Sequence, residues 1–181
     1  MKNPKTNNKN NLIISITIIA ALSLASIVLI NLSTNSSRIS KQVNTETEFK
    51  AEIVKSDDEW KSLLTPQQYY VLRQKGTDLP FSETMLLNEK RPGTYVTADC
   101  GEPVFRSENK YDSKTGWPSF WKPIEGSVVE IDDNDLGIKR TEIVGKKCGG
   151  HLGHVFTDGP EPTGLRYCIN PSALKFIPDP I

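Results

Sequence analysis

Cysteine and histidine are scarce in this chain: the thiols are Cys100, Cys148 and Cys168, and the imidazoles are His151 and His154. No two cysteines form a C-x-x-C, which removes the usual signature of a thioredoxin-like disulfide oxidoreductase. An excess of charge is also missing, since 22 Lys and Arg balance 22 Asp and Glu. Nucleic-acid binding needs a basic patch that displaces counterions, and none clusters outside the extreme N-terminus, so no nucleic-acid partner is expected. No solenoid-type repeat is visible. The 181 residues, 36% hydrophobic and 24% charged, have the composition of one globular domain with additions.

The first addition is an uncharged run, LIISITIIAALSLASIVLINL, from Leu12 to Leu32. At 1.5 Å rise per residue it is long enough to cross a hydrocarbon core of about 30 Å. Lys2, Lys5 and Lys9 precede it, so the positive-inside bias keeps residues 1–11 in the cytoplasm and sends the rest across. The expectation is a single-pass membrane protein whose remaining chain is extracytoplasmic, in the periplasm or at the cell surface. A cleaved signal peptide is the alternative; the run exceeds the usual signal core of about 7–15 residues, and no convincing small-x-small site follows. Residues 33–50 are rich in Ser, Thr and Asn and poor in large apolar side chains, as befits a linker. The globular part then spans 51–181, enough for one core without staples.

Within it, Ser56-Asp57-Asp58-Glu59 fits a capping box opening a short helix through Leu64. Thr65-Pro66-Gln67-Gln68 repeats the signal, with Tyr69, Leu72 and Arg73 at helical spacing until Gly76. After Pro92 come short β-leaning runs: Thr94–Ala98, Pro103–Arg106, Ser127–Ile131, Lys139–Val144, His154–Thr157, Leu165–Ile169 and Ala173–Ile177. Asp132 to Gly137 reads as a turn; its acidic residues invite calcium, but the EF-hand glycine spacing and closing Glu are absent. The fold class expected is mostly β, packed antiparallel sheets behind short N-terminal helices.

An odd number of cysteines in an oxidising compartment leaves one thiol unpaired unless chains crosslink. In Arg166-Tyr167-Cys168-Ile169-Asn170, period-two alternation puts Arg166, Cys168 and Asn170 on one strand face. A guanidinium favours the attacking thiolate, and an amide can donate to a developing anion; a small buried hydrophobe is the bland alternative. His151 and His154 stand three apart in a glycine-rich run. They could supply a general acid near neutral pH, or, with Cys148 and Cys168, complete a tetrahedral metal site. Trp117, in Gly116-Trp117-Pro118-Ser119-Phe120-Trp121, is either a core lid or the wall of an apolar pocket able to receive a methyl group beside a sulfur centre.

Four separated blocks, LTPQQYYVLRQKGTDLPFS, KYDSKTGWPSFWKPI, CGGHLGHVFTDGPEPTGLRYCIN and ALKFIP, resemble the B-type methionine sulfoxide reductases in that family's order, over about Leu64 to Pro178. The resemblance implies two antiparallel sheets with short helices at the N-terminal side. It implies reduction of the R epimer of methionine sulfoxide in oxidised proteins, with Cys168 as nucleophile passing through a sulfenic acid. It also implies that His151, His154, Arg166 and Asn170 serve catalysis and that Trp117 and Phe156 bind the substrate. A thioredoxin-like protein or a small thiol is the expected reductant. The alternative from another class is a membrane-tethered metal-binding module built on Cys148, His151, His154 and Cys168.

The chain departs from the family pattern in two places. Many members hold a structural zinc with two C-x-x-C pairs, but Thr97 and Gly145 stand at the first position of each pair here. Two cysteines cannot build a four-thiolate site, so no cofactor and no metal are expected. Thr115 stands where many members carry a resolving cysteine. Because the two pairs meet at one metal in the zinc-bearing relatives, the resemblance also implies that Cys100 and Cys148 lie close enough for a disulfide; the rival pairing joins Cys148 to Cys168. With an uncleaved anchor the mature protein fractionates with membranes, and intact-mass analysis finds the whole N-terminal segment. A soluble product beginning near Ser26 or beyond would identify a cleaved signal.

Overall fold

A computed structural model describes residues 49–134 and 137–181, and the compact unit runs from Phe49 to Ile181. Residues 12–32, expected to cross a membrane, lie outside the described residues, as do 1–11 and all but the last two residues of the expected linker. Among the described residues no helix is long and apolar enough to span a bilayer.

Both capping boxes form. Ser56 and Glu59 open helix α1 (Asp57–Leu63), and Thr65 and Gln68 open α2 (Pro66–Gln74), each cap accepting from the backbone N–H three residues on. This satisfies N–H groups that have no partner inside the helix. Helix α2 closes on Lys75, which takes φ 55 one residue before the expected glycine stop. A five-residue helix α3 (Thr84–Asn88) has no counterpart in the sequence reading, because TMLLN is too short to display a period.

The strands are β1 (Gly93–Thr97), β2 (Pro103–Arg106), β3 (Lys110–Tyr111), β4 (Ser119–Phe120), β5 (Val128–Asp133), β6 (Arg140–Gly145), β7 (His151–Phe156), β8 (Arg166–Ile169) and β9 (Leu174–Pro178). They form two antiparallel sheets, one ordered β2-β1-β9 and the other β3-β4-β8-β7-β6-β5. The mostly β, two-sheet architecture is thus present. Two boundaries differ from expectation. Strand β5 continues through Asp133, so Asp132 and Asp133 belong to a ladder with β6 rather than to a turn; Asp133 lies opposite Arg140 and pairs with its guanidinium at 2.6 Å. Strand β7 begins at His151, three residues early, although its glycines read as loop.

The two sheets meet through aromatic rings. Phe120 from the larger sheet stacks on Phe105 at 4.3 Å between centroids and meets Tyr95 edge-on at 4.9 Å, and all three rings are fully buried. Such offset and edge contacts add about 0.5–1.5 kcal/mol each beyond burial. Helices α1 and α2 close one side of this core with Trp60, Val71 and Leu72.

Cys100 lies in the turn after β1 and Cys148 in the turn after β6. The turns are built alike: Gly101 N–H donates to Thr97 O and Gly149 N–H donates to Gly145 O. The two sulfurs form a disulfide, with Cα atoms 6.4 Å apart and a sequence separation of 48. The pairing implied by the resemblance is the one found, and the rival between Cys148 and Cys168 is not. In the chain-entropy account a loop of this size contributes about 4 kcal/mol by restricting the unfolded chain. Replacing both cysteines with serine is expected to lower the urea-unfolding free energy by about that amount, with Cys168 still in place. Unchanged stability would deny the crosslink a structural role.

Candidate active site

Strand β8 carries alternating residues, with Tyr167 and Ile169 buried in the core and Arg166 and Cys168 turned outward, half-buried. Its neighbours place Ser119 of β4 and His154 of β7 opposite Cys168. The β7 pairing depends on Gly153: a Cβ there would lie 2.1 Å from the carbonyl oxygen of Cys168. Glycine is therefore the residue that lets the histidine strand approach the thiol strand this closely.

Cys168 lines a cavity of about 330 Å³ together with His154, Arg166, Asn170, Trp117 and Phe156, and also with Thr77, Thr115 and Arg140. Six of the seven residues anticipated from the sequence thus converge on one hollow. The seventh, His151, does not reach it. Its ring is buried, Nδ1 lies 2.8 Å from the equally buried Glu142 carboxylate, and its centroid is 5.4 Å from that of His154. Burial pushes the Glu142 carboxyl up, but hydrogen bonds from His151 and from Lys75, 2.7 Å away, bring it below its ordinary value. His151 thus stands beside His154 without lining the cavity.

His154 faces the cavity, and its Nε2 is 2.8 Å from Asp133 Oδ2. Burial, reinforced by the positive charge of Arg140, holds this imidazole below its ordinary pKa despite the carboxylate. The resting ring is then neutral at neutral pH. If Nε2–H donates to Asp133, Nδ1 is left free to accept a proton.

Cys168 differs from the expectation of an activated thiolate. Burial is the largest influence and pushes its thiol up, outweighing the Arg166 charge and hydrogen bonds from Thr115, Arg166 and Ser119 that pull it down. The guanidinium is shared: Nε and one terminal nitrogen grip Asp158 at 2.8 and 2.9 Å, and the plane lies 4.3 Å over Phe156. A small cluster of hydroxyls compensates in part. Thr115 Oγ1 is 3.9 Å from the sulfur, Ser113 Oγ lies 2.8 Å from Thr115 Oγ1 and 2.7 Å from Ser119 Oγ. These rotors can turn their protons toward sulfur when charge develops there.

Asn170 is committed to the scaffold. Its Oδ1 accepts from Asp78 N–H at 2.8 Å and its Nδ2 donates to Leu152 O at 3.2 Å, so it holds the cavity floor. Asp78 is buried and also receives Gln67 Nε2 and the Ser172 hydroxyl on one oxygen and Ser172 N–H on the other, while its carbonyl accepts from Trp117 Nε1 at 3.0 Å. One residue thereby ties three parts together: its carboxylate holds Gln67 of helix α2 and Ser172 after β8, its N–H holds Asn170, and its backbone carbonyl holds the indole. Asp78, Asp133, Glu142, Arg140 and the Thr115 cluster were missed by sequence reasoning. Asp78 and the Thr115 cluster stood inside the quoted family blocks without a role of this kind, Arg140 and Glu142 stood in a β-leaning run, and Asp133 was read as part of a turn.

The metal-module alternative is corrected by these contacts. Cys148 is bonded to Cys100, and each histidine gives a ring nitrogen to a carboxylate. Among the described residues the only group with metal-ligand spacing is Asp99, Cys100 and Cys148. Nor do the residues at the family's zinc position fit a four-thiolate site, since both sulfurs are spent on one bond, Gly145 has no side chain and Thr97 offers a hydroxyl.

A free, half-buried thiol opposite a neutral imidazole, in a cavity lined in part by an indole and a phenyl ring, is a geometry suited to thiol chemistry. Comparison with known proteins narrows this. The SelR domain family matches residues 64–178. Proteins named peptide methionine sulfoxide reductase MsrB are similar over the same region: 56% identical in Leptospira interrogans over 126 residues, 69% of this chain and 95% of the relative. The protein of Methanosarcina mazei is 54% identical over 125 residues, 68% of this chain and 89% of the relative. That of Bradyrhizobium diazoefficiens is 53% identical over 127 residues, 70% of this chain and 91% of the relative. The chain belongs to the SelR-domain family, that of the MsrB reductases.

Because burial dominates, Cys168 is expected to alkylate with iodoacetamide along a pH profile whose midpoint lies above the ordinary thiol range. Thr115→Val removes a donor to the thiolate and shifts the midpoint further upward, whereas Thr115→Ser restores it. A midpoint unmoved by Thr115→Val would exclude the hydroxyl cluster from the thiolate's environment.

Proposed function

We propose that this protein reduces the R epimer of methionine sulfoxide in oxidised proteins, with Cys168 as nucleophile. The observation that carries the reading is a single unpaired thiol facing His154, Trp117 and Phe156 across one small cavity, in a chain about half identical to MsrB reductases. His154 Nδ1 takes the Cys168 proton, giving a thiolate and an imidazolium braced by Asp133. The thiolate attacks the sulfoxide sulfur while the imidazolium protonates its oxygen. The sulfur–sulfur bond formed by this attack then breaks together with the sulfur–oxygen bond as the hydroxyl group moves to Cys168, and methionine leaves. Cys168 is oxidised by two electrons to a sulfenic acid as the substrate sulfur is reduced by two. Two external thiols then return it to the thiol, releasing water and one disulfide.

Arg166 and the hydroxyls of Thr115 and Ser119 stabilise the thiolate. Trp117 and Phe156 enclose the methyl group, and the handedness of that enclosure selects the epimer. Asn170 and His151 act as positioning residues. Thr115 supplies no resolving thiol and Cys148 is engaged, which supports recycling by a thioredoxin-like protein or a small thiol. We also propose that the disulfide serves in place of a structural metal, so that the enzyme needs no cofactor. The repair it performs is extracytoplasmic, from a single-pass anchor at 12–32.

Cys168→Ser is expected to abolish turnover, by about 10⁴-fold or more, without unfolding the protein. Trp117→Ala is expected to lower kcat/KM about 10²-fold by loosening the fit around the sulfur. Separate assays of the two sulfoxide epimers decide the reading. Turnover confined to the R epimer supports it; equal turnover of both, or activity retained by Cys168→Ser, overturns it.

A further inference from the structure

Beside the cavity, the chain holds two apolar side chains out in water. Leu79 is 77% exposed and Phe81 is 58% exposed. Phe81 has φ 61, in the left-handed region that side chains with a Cβ avoid. It is kept there by its N–H donating to Gly116 O at 2.9 Å, and the turn before it is closed by Ser82 N–H donating to Leu79 O at 3.2 Å. The other end of the loop is anchored at Asp78 by the hydrogen bonds described above. An unfavourable backbone conformation that is tied at both ends and displays a phenyl ring outward is characteristic of a binding surface rather than of packing.

Its location points to the occupant. A Cβ on Gly116 would lie 2.8 Å from the Phe81 ring, so the ring rests on the backbone between Thr115 and Trp117, both of which line the Cys168 cavity. Phe81 also lines a groove of about 620 Å³ in which Leu87 and Tyr111 are its apolar neighbours and the charged Glu89, Lys110, Asp112 and Lys114 form much of the rest. Lys114 and Thr115 are consecutive, so groove and cavity are neighbouring hollows with Phe81 on the ridge between them. For a polypeptide that inserts an oxidised methionine into the cavity, this rim is an apolar path by which the chain can continue. In an extended chain each residue advances about 3.3 Å, and side chains two apart project to the same side.

We propose that Leu79 and Phe81 form a subsite for an apolar side chain two residues from the methionine sulfoxide in a peptide substrate. The inference rests on the function proposed above and adds to it a sequence preference. The residue next to the sulfoxide projects away from the enzyme and is not read; the second residue lies over Phe81 and is.

The test uses the full chain and a set of peptides, each with one R-sulfoxide in a glycine-serine background and one leucine at position −2, −1, +1 or +2. Leucine at one of the two distal positions is expected to raise kcat/KM roughly tenfold over the leucine-free peptide, the scale of burying a few methylenes. Leucine at −1 or +1 is expected to have no such effect. The paired substitution Leu79→Ser with Phe81→Ser is expected to bring the ratio of leucine to leucine-free peptide back to about one. Turnover of the leucine-free peptide with no gain at −2 or +2 overturns the subsite and leaves the reductase reading intact, and this outcome needs no variant. A gain that survives the paired substitution also overturns it. Turnover of no peptide removes both readings. Sedimentation gives the other occupant: a wild-type dimer that becomes monomeric on the paired substitution would assign the surface to a second copy of the chain and overturn the proposal.

Discussion

The pairing of β7 with β8 is the constraint on which the site depends. It brings His154 opposite Cys168, and it exists at this spacing only because Gly153 presents no side chain to the Cys168 carbonyl. A methyl group there would force the strands apart, and the thiol and imidazole would part with them. The same ladder sends Tyr167 and Ile169 into the core, so the geometry of the reacting groups is fixed by hydrophobic packing behind them. Strand β4 completes the arrangement on the other side, where Ser119 lies opposite Cys168 and Phe120 enters the aromatic stack between the sheets.

Electrostatically the site is set to rest in its neutral state. Burial raises the thiol and lowers the imidazole, so proton transfer from one to the other is disfavoured in the unliganded site. The charges that could override this are already partnered: Arg166 with Asp158, Arg140 with Asp133. Such pairs hold side chains in place more than they add net field, since each guanidinium brings its own counter-charge. A thiol kept protonated is also a poor target for adventitious oxidation, because the thiolate is the reactive form.

Much of this was legible in the residues. Ser56 and Thr65 announced the helices because capping is a local interaction, complete within four residues. The alternation through Arg166, Tyr167, Cys168 and Ile169 gave the strand and its exposed face for the same reason. The second layer was not legible. Asp78, Asp133 and Glu142 meet their partners across gaps of 92, 21 and 9 residues, and nothing in their own neighbourhoods marks them as partners of Asn170, His154 and His151. The direction of the Cys168 shift also escaped, because sequence places a cation beside the thiol but carries no measure of how deeply the thiol is buried. Strands β3 and β4 went unseen because two residues cannot display a period.

The crosslink between Cys100 and Cys148 has a further consequence for the chemistry of recycling. A knuckle held by a metal answers to chelators and is indifferent to electron donors, whereas one held by sulfur answers to the same currency that restores Cys168. On the proposed function, a thiol reductant that serves Cys168 also meets a disulfide on the same molecule. The Cys148 sulfur belongs to a residue only 1% exposed, which leaves Cys100 as the approachable end, in a turn whose backbone is held by Thr97 and Glu102. Under reducing conditions access then decides the fate of the crosslink, and the fold shields its Cys148 end.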